Sequence, residues 1–258
     1  ETRAYDALNR LTGISYPDTS NNVVYSYDSP SVSFGMGRRT GMDDPAGESV
    51  FCYDRVGHLT EENRTPVGQP NAITGYAFDK NGNLAGITYP SGRAVAFAYG
   101  TSDEVTGASA FVNGASAPIA SSFSYEPFGP RTSLTFANGL VDARAFDARY
   151  RLQTWTLGGL VSKTYAWQDD DNITGITDNL NAANNRTFGY DEIHRLTMTN
   201  GPWGAGGYTY DSNGNRLAKT EGATSVTYSY YASTNRLQTA TGSEPGSYSY
   251  DSNGNTTG

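Results

Sequence analysis

Only one cysteine, Cys52, stands in the 258 residues. No intrachain disulfide can form, so packing and hydrogen bonds must hold the fold. Charge is sparse at 17% and unbalanced: 18 Lys and Arg face 26 Asp and Glu, a net charge of −8. No basic cluster offsets this, and such a surface repels phosphate backbones, so nucleic acid is not an expected partner. No apolar run approaches the roughly 20 residues needed to cross a bilayer, so no membrane span is expected. Residues 1–10 carry no signal-peptide pattern. Also missing are a Gly-x-Ser-x-Gly elbow, a paired-histidine metal motif and a phosphate-binding loop. No catalytic residue, cofactor or metal ligand is therefore expected, and the chain does not read as an enzyme.

What is abundant points one way. The chain has 30 glycines, 19 tyrosines and 10 phenylalanines, a mixture that suits short strands joined by tight turns. Tyr-Asp-Ser-Asn-Gly-Asn occurs at Tyr210–Asn215 and again at Tyr250–Asn255. The same aromatic–acid–turn unit starts at Tyr5-Asp6, Tyr27-Asp28, Tyr53-Asp54, Phe78-Asp79, Phe146-Asp147 and Tyr190-Asp191. Degenerate copies, in which the Asp is missing or replaced, begin at Tyr99, Tyr125 (followed by Glu126), Trp167 and Tyr230. Steps of about 20 to 26 residues between anchors give roughly twelve units without a break in composition. The expectation is a single continuous array over residues 1–258. Its ends fall inside repeats, so it reads as an excerpt of a longer chain.

The unit itself can be read physically. In Tyr208-Thr209-Tyr210 the period-two alternation puts both aromatics on one sheet face. The turn after the anchor carries a glycine, at Gly57, Gly82, Gly214 and Gly254. Asn-Gly is expected to supply the positive-φ positions of a tight hairpin turn, with Asp211 accepting turn amides two or three residues on. Stacked Tyr-x-Tyr pairs should form cross-strand ladders, their rings buried and their hydroxyls wet. Steps this short leave no room for crossover helices, so pairing should be antiparallel throughout. The expected architecture is all-β: tandem hairpins in one continuous sheet, curled by its own twist into a spiral. A propeller, with blades of about 40 to 50 residues, fits the step less well.

The pattern Tyr-Asp, two or three residues, Gly, a polar or basic residue, Leu-Thr resembles the YD repeat of the RHS family. That family includes bacterial RHS polymorphic toxins, the shell-forming components of Tc toxin complexes, wall-associated bacterial proteins and teneurins. The resemblance covers essentially the whole chain. It implies a β-spiral cocoon that encloses a C-terminal toxin or effector polypeptide for delivery. It also implies secretion or display at the bacterial surface. The implied partners are the remaining repeats and cargo of the same polypeptide, together with secretion-system or toxin-complex components. The alternative it carries is a cell-surface adhesion or carbohydrate-binding module. The family's self-cleavage machinery cannot be transferred: Asp44-Pro45-Ala46-Gly47 has the DPxG form, but it lies early in the array and is a good turn.

Two local features compete with the structural reading. Asp169-Asp170-Asp171 could suggest a cation site, yet it fills a turn slot and lacks the glycine that a calcium loop needs. His58 and His194 read as equivalent positions in two repeats, and as exposed turn residues rather than general bases.

Overall fold

The computed structural model describes residues 1–112 and 114–257. Among these it contains 23 β-strands and two single-turn 3-10 helices, Thr19–Asn21 and Ala182–Asn184. The chain forms two compact units. One holds Glu1–Ser124 with Leu134–Gly139; the other holds Tyr125–Ser133 and the chain from Leu140 onward. Every strand pairing recorded within them is antiparallel and joins strands adjacent in sequence. The all-β expectation holds.

Each repeat is a hairpin whose first strand ends on the aromatic anchor. Val23–Tyr27 pairs with Arg39–Asp44, Gly47–Tyr53 with Leu59–Pro66, and Gly204–Tyr210 with Arg216–Glu221. The register slips by one residue just before the anchor in each of these, so Tyr53 faces Leu59 and Tyr210 faces Arg216. This bulge follows from the turn. Asp211 N donates to Asn215 O and Gly214 N donates to Asp211 O, which makes a three-residue loop closed by a left-handed residue, Gly214, at φ +88°. Asn213 is not left-handed. The two-residue Asn-Gly turn anticipated from the sequence is thus replaced by a type I turn with a bulge, which needs a single positive-φ residue.

Alternation gives each unit two unlike faces. Tyr208, Tyr210, Tyr228 and Tyr230 lie half-buried on one, while Thr209, Thr227 and Ser229 stand exposed on the other. Deep burial is rare. Val32, Phe51, Ala120, Leu134, Val226 and Ala240 are the buried apolar residues among those described. With so few, burial of a few large side chains cannot carry the fold, and the hydrogen-bonded ladder with its half-buried aromatics must.

At the opposite edge the connections vary. Asp44 to Gly47 closes a two-residue hairpin in which Ala46 N donates to Asp44 Oδ1 at 2.8 Å, so the DPxG string is a turn. The two 3-10 turns are capped alike, by Asp18 accepting from Ser20 N at 3.0 Å and Asn181 accepting from Ala183 N at 3.1 Å.

Two glycines separate conformational from steric cost. Gly214 has φ +88° and open space where a Cβ would sit. Gly47 has φ +141°, and a Cβ there would run into the Thr65 carbonyl and lie 2.7 Å from Pro66 Cα. Gly214→Ala should therefore cost about 1–2 kcal/mol, the strain of a left-handed alanine. Gly47→Ala should cost clearly more, because backbone must move. Denaturant unfolding of both variants checks this, and equal losses would contradict it.

Candidate functional site

The feature repeated most faithfully is the turn edge, where anchor, acid and the fifth turn residue come together. In seven repeats the anchor's acid caps the turn in the same way. Asp211 Oδ1 accepts from Asn213 N at 2.9 Å and Asn215 N at 2.8 Å, two and four residues on. Asp6, Asp54, Asp79, Asp147, Asp191 and Asp251 accept from the amides at the same two offsets. The second carboxylate oxygen takes the side chain of that fifth residue, four positions after the acid: Arg10 at 2.7 Å, Arg151 at 2.7 Å, Arg195 at 2.6 Å, or Asn83, Asn215 and Asn255 at 2.8–3.0 Å. His58 Nδ1 fills the same place, 2.8 Å from Asp54 Oδ2.

The two histidines are not equivalent. His58 follows the left-handed Gly57 and pairs with the capping acid, whereas His194 is itself the left-handed residue, at φ +65°. His194 sits where other repeats carry Gly57 or Gly82, with Nδ1 3.2 Å from Asp170 Oδ2 and 2.8 Å from Asn172 Nδ2. The acidic run is held by the preceding turn: Asp171 Oδ1 pairs with Arg151 at 2.9 Å, and Arg149 donates to the Asp169 carbonyl. No group of three or more metal-ligating side chains converges among the described residues.

Asp28 departs from the pattern. Nine residues separate it from Arg38, where the seven turns above have three, and it has φ +58°. Its carboxylate instead accepts from Gly37 N at 2.5 Å and from Arg10 Nη2, in the preceding repeat, at 2.7 Å.

The anchors tie successive repeats together. Tyr27 donates its hydroxyl to Leu11 O at 2.8 Å, Tyr53 to Arg39 O at 2.7 Å and Tyr99 to Leu84 O at 2.9 Å. Tyr190, Tyr210, Tyr230 and Tyr250 donate in the same manner to Ile173, Leu196, Arg216 and Leu237, at 2.9–3.1 Å. Trp167 substitutes its indole N–H, 2.8 Å from Leu152 O. In each case the acceptor is the first strand residue after the previous repeat's turn. Contrary to the sequence expectation, these hydroxyls are not left to water.

The reason is geometric. Successive hairpins pair only at their far ends, as in Gly13↔Val24 and Ile14↔Val23, or Gly175↔Thr187 and Ile176↔Arg186. Near the turns the strands splay, which leaves that carbonyl without a ladder partner, and a buried orphan acceptor is costly. The anchor ring fills the gap and its donor satisfies the oxygen. Phe78 and Phe146 have no such donor. Over Phe78 the ring of His58 stacks, with centroids 4.5 Å apart. Elsewhere the previous repeat's arginine covers the ring: Arg10 over Tyr27 at 4.4 Å and Arg195 over Tyr210 at 4.8 Å.

Sequence reasoning located the anchors and acids but not this latch. Its signal was available: Tyr outnumbers Phe among anchors, and the one tryptophan anchor keeps an N–H donor.

The capping geometry holds the acids below the usual carboxylate range. At Asp211 the first cause is the Asn215 side chain, opposed by burial and helped by the amides of Asn215, Asn213 and Gly214. At Asp54 burial alone would raise the value. It is outweighed by the His58 ring and the amides of His58, Gly57 and Val56, and the carboxyl falls to about 2. Asp6, Asp28, Asp79, Asp147, Asp191 and Asp251 are lowered as well. A carboxyl whose folded value lies below its unfolded value of about 3.9 contributes stability above that value. That stability is lost as pH falls through the folded value. Tm should therefore be flat from pH 7 to about 5 and drop steeply below about 4. Thermal unfolding as a function of pH reads this directly, and a Tm unchanged to pH 2 would refute the caps.

Residues 53–94 match the RHS repeat family model. No curated protein sequence matches the chain. Its fold matches the crystal structure of TcdB2-TccC3 with a TM-score of 0.76 at 15% identity, over 99% of this chain and 17% of that one. It also matches the structure of the Photorhabdus luminescens Tc holotoxin pore, with TM-score 0.76 and 15% identity, over 99% of this chain and 16% of that chain. The chain thus spans about a sixth of the length of these structures. Residues 53–94 thus match an RHS repeat, and the chain along its length shares the fold of these Tc toxin structures.

Proposed function

We propose that this array is a stretch of wall in an RHS-type shell that shields a C-terminal toxin or effector polypeptide until delivery. The observation that carries the reading is the fold match to TcdB2-TccC3 along 99% of the chain. The turn edge supports it: a wall needs repeats that hold their neighbours, and the anchor latch does this from repeat to repeat. The capping acids and anchor rings are committed to that task, which favours a non-catalytic scaffold over an enzyme. It also leaves the anchors unsuited to stacking sugars, so the carbohydrate-binding reading gains nothing from them. In this proposal the whole sequence serves as a single run of repeats, with Tyr5 to Asp251 as its structural anchors. Its partners are further repeats, the cargo and the components of a secreted toxin complex.

The test uses the polypeptide that carries this array at its full natural length. Protease treatment under native conditions should leave a resistant body that retains a separate C-terminal fragment, released only on denaturation and visible by intact mass. A C-terminal region digested as readily as a free peptide would overturn the proposal.

A further inference from the structure

One face of the second unit reverses the charge of the rest of the chain. Asp142 is buried at 6% exposure and gathers three donors. Arg131 Nη2 lies 2.7 Å and Arg144 Nη2 3.0 Å from its Oδ2, and Trp155 Nε1 lies 3.1 Å from its Oδ1. Cross-strand register continues the row: Arg144 faces Trp155, Trp155 faces Lys163, and one residue pair along, Ile176 faces Arg186. Arg144 and Lys163 flank the Trp155 ring, each 6.0 Å from its centroid. Asp178, opposite Lys163, turns its carboxylate to Leu180 N, Asn181 N and Asn184 Nδ2.

This leaves cationic donors in excess. Lys163 makes no hydrogen bond or ion pair among the described residues; it lies against the indole ring and acts on Asp178, opposite it, only through space. Arg186 rests over Trp203 at 5.6 Å, and its Nε is buried without a partner, as is Arg131 Nε. Buried donors without acceptors are rare and call for a missing partner. Four cations against Asp142 and Asp178 leave a local surplus of two in a chain of net charge −8.

We infer that this face binds an extended acidic polypeptide segment, laid across the strands over Trp155 and paired with Lys163 and Arg186. Spacing selects the ligand. Arg144, Lys163 and Arg186 sit on alternate strands, roughly 10 Å apart at about 4.8 Å per strand. One phosphate-sized anion cannot reach two of them. An extended chain rising about 3.1 Å per residue presents every third side chain at roughly 9 Å, matching the cations. A long polyanion would meet the repulsion of the remaining surface, whereas a short acidic stretch would not. The indole adds an apolar floor between two charges. The inference stands apart from the shell reading and does not depend on it.

The test is fluorescence anisotropy of a labelled peptide of about twelve residues with Glu at every third position, titrated with the 258-residue chain at low salt. The wild type should bind, and added salt should weaken it. Lys163→Glu should reduce affinity by about tenfold or more. It also sets a carboxylate opposite Asp178, so Tm should fall somewhat, whereas Lys163→Gln, which avoids that repulsion, should weaken binding in the same direction at little cost in Tm. Arg186→Gln, which leaves the Asp142 cluster intact, should weaken binding in the same direction. Lys80→Glu, in a turn of the first unit, should leave it within about twofold. No binding by the wild type, or equal weakening by Lys80→Glu, would overturn the site. Tighter binding of a sulfated oligosaccharide of equal charge would overturn its assignment to a polypeptide.

Discussion

The hydrogen bond from an anchor hydroxyl to a carbonyl of the preceding repeat resolves a conflict built into this architecture. A three-residue turn with a bulge twists each hairpin strongly, so neighbouring hairpins cannot stay paired along their whole length. They pair at the far end and part near the turns. The parting would expose a backbone oxygen beside an apolar cleft. A tyrosine is long enough to fill the cleft and carries a donor at its tip. Trp167 does the same with an indole N–H in place of the phenol, while Phe78 and Phe146 keep the ring alone.

The acid next to the anchor then works on the same joint. Its one oxygen gathers turn amides, and its other holds an arginine, asparagine or histidine that reaches toward the next repeat. Asn83 continues to Asp103 Oδ1 at 2.7 Å, Asn215 to Asn235 Oδ1 at 3.0 Å, and Arg195 to Asp211 O at 2.7 Å. Turn closure and repeat-to-repeat contact are thus one hydrogen-bonded system. Where the acid is absent, as at Gly100, Gln168 and Tyr231, the turn's backbone bonds remain and the anchor of the following or the same repeat still finds its carbonyl. The acid strengthens the joint, while the aromatic defines it.

The sequence was legible wherever side-chain identity reports backbone need. Period-two alternation gave the strands, the recurring Tyr-Asp gave the hairpins, and the short step gave antiparallel pairing. Legibility stopped where a side chain meets a backbone atom of another repeat, because a carbonyl leaves no mark in the sequence. The histidines, by contrast, were legible and misaligned: set by their anchors, Tyr-Asp-Arg-Val-Gly-His and Tyr-Asp-Glu-Ile-His-Arg place His194 against Gly57. The sequence also favoured the two-residue Asn-Gly turn, since one positive-φ residue plus a bulge uses the same letters. The cationic row around Trp155 was invisible for another reason. Arg131, Arg144, Lys163 and Arg186 are dispersed in sequence, and only strand register brings them onto one face.

Hydrogen exchange of native Tyr210→Phe against wild type would examine the joint where it acts. The variant keeps the ring and removes one hydroxyl. If the latch holds neighbouring repeats, protection should fall in the strand Leu196–Gly201 of the preceding repeat as well as in Gly204–Tyr210, since losing a satisfied buried acceptor costs about 1–3 kcal/mol there. Loss of protection confined to Gly204–Tyr210, with Leu196–Gly201 unchanged, would contradict the account.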